Sequence, residues 1–244
     1  VIASEGGNGY FHWLFDVLPR FELLEGYPVD AFYVENSQSY HHQYLQLVGI
    51  DENRIISAEK ATHIRAQTLV IPSLPGTSGN ISGRACRFLR RLMDKALRLP
   101  LDTPIYERIY ISRRDAKRRR VLNEDEVFDV LKAYGFVSLD LTGRSVIEQI
   151  RLFAHARHVV APHGAGLSNL VYAQPGTTVL ELFSPAYINP CYWTLANELD
   201  LRYHYVLGEG ESYDLSTYPH DRNRDMIIDP KRLSWAISRI LTNI

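Results

Sequence analysis

The stretch Val159-Val160-Ala161-Pro162-His163-Gly164-Ala165-Gly166-Leu167-Ser168-Asn169 runs from an apolar strand through a turn with two glycines into a helix. Glycines let the backbone approach a ligand closely, and the unbonded N–H groups of a first helical turn suit a phosphate. His163, at the mouth of the turn, can donate a hydrogen bond to the same anion. The pattern also fits a tight strand–helix turn whose glycines serve packing alone, and Gly-x-Gly by itself is a weak signal. Glu181 is a second clue. It interrupts the apolar strand Val179-Leu180-Glu181-Leu182-Phe183, where an ionised carboxylate is costly without partners. At a strand's carboxyl end it can accept both hydroxyls of a ribose. The competing readings are an outward-facing position and a structural ion pair.

The run Arg113-Arg114-Asp115-Ala116-Lys117-Arg118-Arg119-Arg120 directly follows the strand Ile109-Tyr110-Ile111-Ser112. Such a run is more often a solvated loop or a nucleic-acid patch. Because it leaves a strand's carboxyl end, one or two of its arginines can turn onto the same diphosphate, which the planar guanidinium fork binds well. Its six cations exceed what one diphosphate needs, so some are surface charge. A fourth group is His12 and Asp16, spaced i, i+4 on one helix face. A carboxylate can hold an imidazole in one tautomer and raise its basicity, so either residue could deprotonate a sugar hydroxyl. A helix-stabilising hydrogen bond explains the spacing equally well.

Other candidates carry little. His41-His42, His63, His155, His158, His204 and His220 lack ligand-like spacing, and Asn80-Ile81-Ser82 is a chance-level sequon. Asp-x-Asp does not occur, and Leu139-Asp140-Leu141 ends its strand with one acid only. No metal site and no cofactor is therefore expected.

The elements that must position these residues follow from periodicity. Gly6-Gly7-Asn8-Gly9 reads as a loop, followed by a helix from Tyr10 to Leu18 closed by Pro19, with Phe11, Leu14, Phe15 and Leu18 as its buried stripe. Ala31–Glu35 and Thr68–Ile71 read as strands, Tyr40–Val48 as a helix ending at Gly49, residues 72–79 as a loop, and Gly83–Leu97 as a basic helix. From Arg108 the alternation is regular. Strands are expected at Arg108–Ser112, Phe136–Leu141, His158–Ala161, Val179–Phe183 and Tyr203–Leu207. Between them fall helices opened by Asn123 with Glu126 and by Ser145 with Glu148, a helix holding Leu167–Ala173, and another at Cys191–Leu199. Residues 209–225 read as irregular and Lys231–Ile240 as a closing helix. Repeated strand–helix units imply an α/β fold with parallel strands that bind ligands at their carboxyl ends. The expected domains are residues 1–100, 101–225, and a closing helix within 226–244.

The chain has 244 residues, a formal charge of −1 and 45% hydrophobic content, ordinary for a folded α/β protein. Near-neutral charge excludes a global field for nucleic-acid binding, so any anion site must be local. Cys86 and Cys191 are too few and too far apart for a disulfide scaffold, which suits a reducing, cytoplasmic compartment. No apolar run is long enough to cross a membrane, which leaves only peripheral association. Val1-Ile2-Ala3-Ser4 reads as the end of a strand in progress, so the chain is expected to begin inside a domain. A lumenal location in the secretory pathway follows if an anchor upstream has been removed.

Taken in order, residues 6–20, 110–114, 119–124, 162–167 and 176–182 resemble glycosyltransferase family 61. The resemblance runs from about residue 6 to residue 205, and nothing matches the tail after Gly208. It implies a GT-B architecture, two Rossmann-like domains facing a cleft. It also implies an inverting transferase that moves a sugar from a UDP-sugar to a glycan or glycoconjugate hydroxyl, as in polysaccharide biosynthesis, without an essential metal. By motif, Arg113 and Arg119 would meet the diphosphate, the turn His163, Gly164, Ala165 and Gly166 would sit on the donor phosphates, and Glu181 would hold the ribose. His12 and Asp16 would face the acceptor. The alternative is a non-catalytic nucleotide- or glycan-binding module of the same fold.

Overall fold

Short β-branched and aromatic runs in the second half pair into one parallel sheet. Its strands are β3 (Arg108–Ile111), β4 (Val137–Leu139), β5 (His158–Pro162), β6 (Thr178–Phe183) and β7 (Arg202–Leu207). The computed structural model describes residues 1–58, 63–77, 80–100, 102–210 and 223–242. In it the chain divides into two units: Val1–Asp102 with Ser145–Ile150, and Thr103–Arg144 with Arg151–Ile244.

The sheet order of the second unit is β4-β3-β5-β6-β7, with every pair parallel. The chain therefore steps outward from β3 to β4, then returns to the other side of β3 as β5. That reversal is a strand-order switch, the place on a parallel α/β sheet where ligands bind at the carboxyl ends of the strands. This is a Rossmann-like arrangement. One face of the sheet packs against α4 (Glu124–Ala133) and α7 (Pro230–Thr242) through Tyr110, Val127, Leu131, Val160, Leu180, Leu182, Val206, Leu233 and Ile237. Since side chains alternate along a strand, Val179, Glu181 and Phe183 point to the opposite face.

Most elements expected from Arg108 onward form, with instructive exceptions. Ser145 and Glu148 make a reciprocal capping box opening α5 (Val146–His155): each side chain accepts the other's backbone N–H, at 3.2 and 2.8 Å. Asn123 does not cap α4. Its side chain instead clasps the backbone of Ile228, donating at 2.8 Å and accepting at 3.0 Å. The segment Ala165–Tyr172 is a 3-10 helix rather than an α-helix. Of the irregular tail expected at 209–225, residues 211–222 lie outside the described residues.

In the first unit the residues after the glycine loop wind continuously but not uniformly. A turn of α-helix, α1 (Tyr10–His12), passes into a π-helix at Trp13–Val17 and then a 3-10 helix at Leu18–Leu24. Pro19 does not close the helix. It sits near the start of the 3-10 turn, where its missing N–H costs nothing. The expected apolar stripe is broader than drawn, because Trp13 through Leu18 are all buried. Buried Arg20 ties this winding to the backbone carbonyls of Ile2 and Ala3 (2.5 and 3.2 Å) and Pro72 (2.6 Å).

Strand β1 (Phe32–Val34) pairs in parallel with β2 (Ile55–Ser57), and the helices α2 (Ser39–Val48) and α3 (Gly83–Leu97) follow their expected spans. Thr68–Ile71 is not a strand. Leu69 and Ile71 are exposed at 59% and 65%, and the partner of β1 is β2 instead. Nor do residues 1–4 form a strand, although the N–H groups of Ile2 and Ala3 both donate to the Tyr33 carbonyl, at 2.9 and 3.1 Å. Of the expected loop at 72–79, residues 78 and 79 lie outside the described residues.

Leu131 is fully enclosed between α4, the sheet and α7. Leu131→Ala is expected to lower stability by about 3 kcal/mol in denaturant titrations, the ordinary cost of an unfilled leucine cavity.

Candidate functional site

The switch point brings four sequence-predicted groups together in the second unit. Arg113 lies just beyond β3 and Gly164 just beyond β5, and the Arg113 guanidinium rests flush against Gly164. A methyl group added at Gly164 would stand 2.1 Å from the Arg113 Nη1. The Arg113 Nη2 donates to the Arg118 carbonyl at 3.1 Å, while its buried Nε–H has no hydrogen-bond partner. Arg119 lies over the Tyr187 ring at 5.1 Å, and Tyr187 meets the His163 ring edge-on at 5.2 Å. Both arginines are drawn below their usual basicity. Burial is the main cause for each, and for Arg113 the charge of Arg119 comes next. Two partly desolvated cations set against each other are a place an anion would stabilise.

Rigid backbone holds this arrangement. Arg119 occupies the left-handed region at φ 52°, with its N–H bonded to the Asn223 carbonyl at 3.1 Å. Arg120 binds Asp225 through backbone and side chain, at 2.8 and 2.7 Å. Beyond β5, Ala165 and Gly166 open the 3-10 helix ahead of its first bond, from the Leu167 N–H to the Gly164 carbonyl at 3.0 Å. The turn's glycines therefore differ in purpose. Gly164 admits Arg113, whereas Gly166 admits Leu141, whose Cδ1 a methyl group would approach to 2.9 Å.

His163 is buried, stacked on Phe183 at 5.3 Å and flanked by Tyr192 at 5.3 Å. Its Nδ1 lies 2.5 Å from the Glu181 Oε1, and the Tyr203 hydroxyl donates to the Glu181 Oε2 at 2.5 Å. Glu181 is 0% exposed. The expectation that it grips a ribose thus meets a geometric obstacle, because its carboxylate lies behind His163 with both oxygens engaged.

His12 and Asp16 belong to the first unit. His12 Nδ1 meets Asp16 Oδ2 at 2.7 Å, across the start of the π-helix. Asp16 is 2% exposed and His12 39%, so the imidazole is the member that a substrate could reach. The glycine loop packs on it. A methyl group at Gly6, which sits at φ +80°, would lie 3.3 Å from His12 Cδ2, and one at Gly7 would strike the Glu35 carboxylate at 2.3 Å.

Over residues 10–180 the sequence matches the family model described as Glycosyltransferase 61. The chain belongs to glycosyltransferase family 61. Among similar proteins, a beta-1,2-xylosyltransferase of Arabidopsis thaliana is 33% identical over 98 residues, covering 35% of this chain and 18% of that protein. Beta-1,2-xylosyltransferase RCN11 of Oryza sativa subsp. japonica is 32% identical over 95 residues, with 36% and 18% covered. Protein O-linked-mannose beta-1,4-N-acetylglucosaminyltransferase 2 of Canis lupus familiaris is 29% identical over 144 residues, with 57% and 24% covered. The chain thus spans at most 24% of the length of these relatives.

Three residues of this family 61 chain stand at the site without having been singled out from the sequence: Tyr187, Tyr192 and Tyr203. Aromatic residues in strands and helices ordinarily fill cores, and only pairing register reveals what they touch. Among the described residues, no cluster of His, Cys, Asp and Glu side chains is placed to hold a metal ion. No helix among them is long and apolar enough to cross a membrane.

Gly164→Ala separates folding from binding, since the group it displaces is the far end of a flexible side chain. Its melting temperature is expected to stay within about 4 °C of the parent. Its affinity for inorganic pyrophosphate should fall about tenfold in calorimetry, the worth of one charged hydrogen bond.

Proposed function

We propose that this chain transfers a sugar from a UDP-sugar to a hydroxyl of a glycan or glycoconjugate, inverting the anomeric carbon and requiring no essential metal. One observation carries the reading: Arg113, Arg119, His163 and the Gly164–Gly166 turn converge where the strand order switches in a parallel sheet. A nucleoside diphosphate is the ligand class that suits two arginines, a histidine and unbonded helical N–H groups at such a switch point. Family membership supports sugar transfer, and the relatives are named for xylosyl and N-acetylglucosaminyl transfer. The GT-B arrangement of two Rossmann-like domains facing a cleft is part of the same proposal, with the donor assigned to the second unit and the acceptor to the first.

The reaction would be a single displacement. The acceptor oxygen bonds to the anomeric carbon as the bond from that carbon to the diphosphate oxygen breaks. The acceptor proton passes to His12, whose Nδ1 is engaged by Asp16 and whose Nε2 serves as the base. Charge accumulating on the departing diphosphate is stabilised by Arg113, Arg119 and His163, which takes the role a metal ion would otherwise fill.

A thermal-shift screen across UDP-, GDP- and CMP-sugars tests the donor, because a ligand that binds the folded state raises its melting temperature. UDP and its sugars should stabilise the protein with or without EDTA. Absence of response to every UDP compound overturns the reading. In the double variant His12→Ala, Asp16→Ala, transfer should slow by about 10²-fold or more while UDP affinity holds. Unchanged turnover would remove both residues from the chemistry.

A further inference from the structure

Glu181, His163 and Tyr203 lie on one diagonal across three neighbouring strands. Ala161 of β5 pairs with Glu181 of β6, and Val179 of β6 pairs with Tyr203 of β7. Tyr203 therefore stands two residues behind Glu181 on the same face, and His163 two residues ahead of it. Diagonal neighbours of this kind are within reach of long and aromatic side chains. We propose that Tyr203 and Glu181 are positioning residues that fix the His163 ring, so that its Nε2 faces the donor diphosphate and donates to it once the ring carries a proton on both nitrogens; this rests on the donor-site reading above.

Three observations carry it. Each Glu181 oxygen has its own donor, Nδ1 of His163 and the hydroxyl of Tyr203, both at 2.5 Å. An ionised carboxylate only accepts, so it holds a proton on Nδ1 and excludes the opposite tautomer, leaving Nε2 to take up the second proton that a bond to the diphosphate requires. Phe183, Tyr187 and Tyr192 pack around the imidazole, which prevents the ring from turning away. Finally, Glu181 has no exposed surface, so it can influence a ligand only through His163. Burial and the adjacent Glu181 both push the Tyr203 hydroxyl to higher pKa, which keeps it a donor across the working range. A partner behind an imidazole commonly sets its tautomer and basicity, and a second partner behind that one fixes the carboxylate.

The ribose and relay roles for Glu181 differ in what they predict for a ligand without a ribose. Isothermal calorimetry with UDP and with inorganic pyrophosphate, on the full chain and on Glu181→Gln, distinguishes them. The relay predicts an equal loss for both probes, about tenfold. In a His163→Ala background Glu181→Gln should then cost nothing more. A loss confined to UDP, no loss for either probe, or a full additional loss in the His163→Ala background would each overturn the relay. Tyr203→Phe, which removes only the hydroxyl, should weaken both probes about threefold.

The ring is also read without any ligand. In ¹⁵N-labelled protein, His163 should show the Nδ1–H tautomer with a slowly exchanging proton, and Glu181→Gln should turn this into a tautomer mixture. An Nε2–H tautomer in the parent protein overturns the relay. If instead the Nδ1–H signal is present and neither UDP nor pyrophosphate binds, the donor-site reading is the one that fails.

Discussion

Two guanidinium groups placed near one another, partly out of water, repel each other and forgo hydration. Arg113 and Arg119 bear that cost, and much of the second unit is arranged to sustain it. Left to itself, a loop carrying six cations within eight residues would splay into solvent. Here the strand order switches between β3 and β5, Gly164 lets one guanidinium lie against the backbone, and the Tyr187 ring supports the other. Surplus charge is led elsewhere. Arg114 pairs with Asp125, and Arg120 with Asp225. Arg113 and Arg119 are thereby set apart from neighbours that are held in ordinary ion pairs.

The described residues include two histidine–carboxylate pairs in opposite settings. His12 is half-exposed on a helical turn, so its far nitrogen can exchange protons with whatever occupies the surface. His163 is sunk among three aromatic rings, where its position is fixed and its hydrogen-bonding direction is what matters. The chemistry of the pair is shared, and the environment decides whether it suits proton transfer or the gripping of an anion.

Periodicity and capping made the strand–helix series from Arg108 onward readable, because its elements are set by local signals. The Ser145–Glu148 box and the left-handed glycine after α4 at Gly135 depend only on neighbours in sequence. Asn123 has the same local signature, yet its side chain is taken by Ile228, a residue that no local rule brings near. In the first unit, Thr68–Ile71 has as good a strand composition as Ile55–Ser57, and only the available edge of β1 decides between them. The same limit governed the site. Glu181 was conspicuous as an acid in an apolar strand, while the partners that explain it, His163 and Tyr203, come from strands on either side and depend on register. A residue's oddity is visible in sequence, but its resolution is tertiary.

The left-handed turn at Arg119 has a consequence for how the protein is made. Its N–H is held by the Asn223 carbonyl, and the neighbouring residues Val121 and Leu122 meet Met226, all of them about a hundred positions further along the chain. A nascent polypeptide emerging from the ribosome will display the complete set of arginine, histidine and glycine motifs well before this clasp exists. During that interval nothing fixes the backbone at Arg119, and the cationic loop is free to attract any polyanion nearby. The folded geometry of this loop is thus acquired late in synthesis, when the segment from Asn223 to Ile228 arrives to close it.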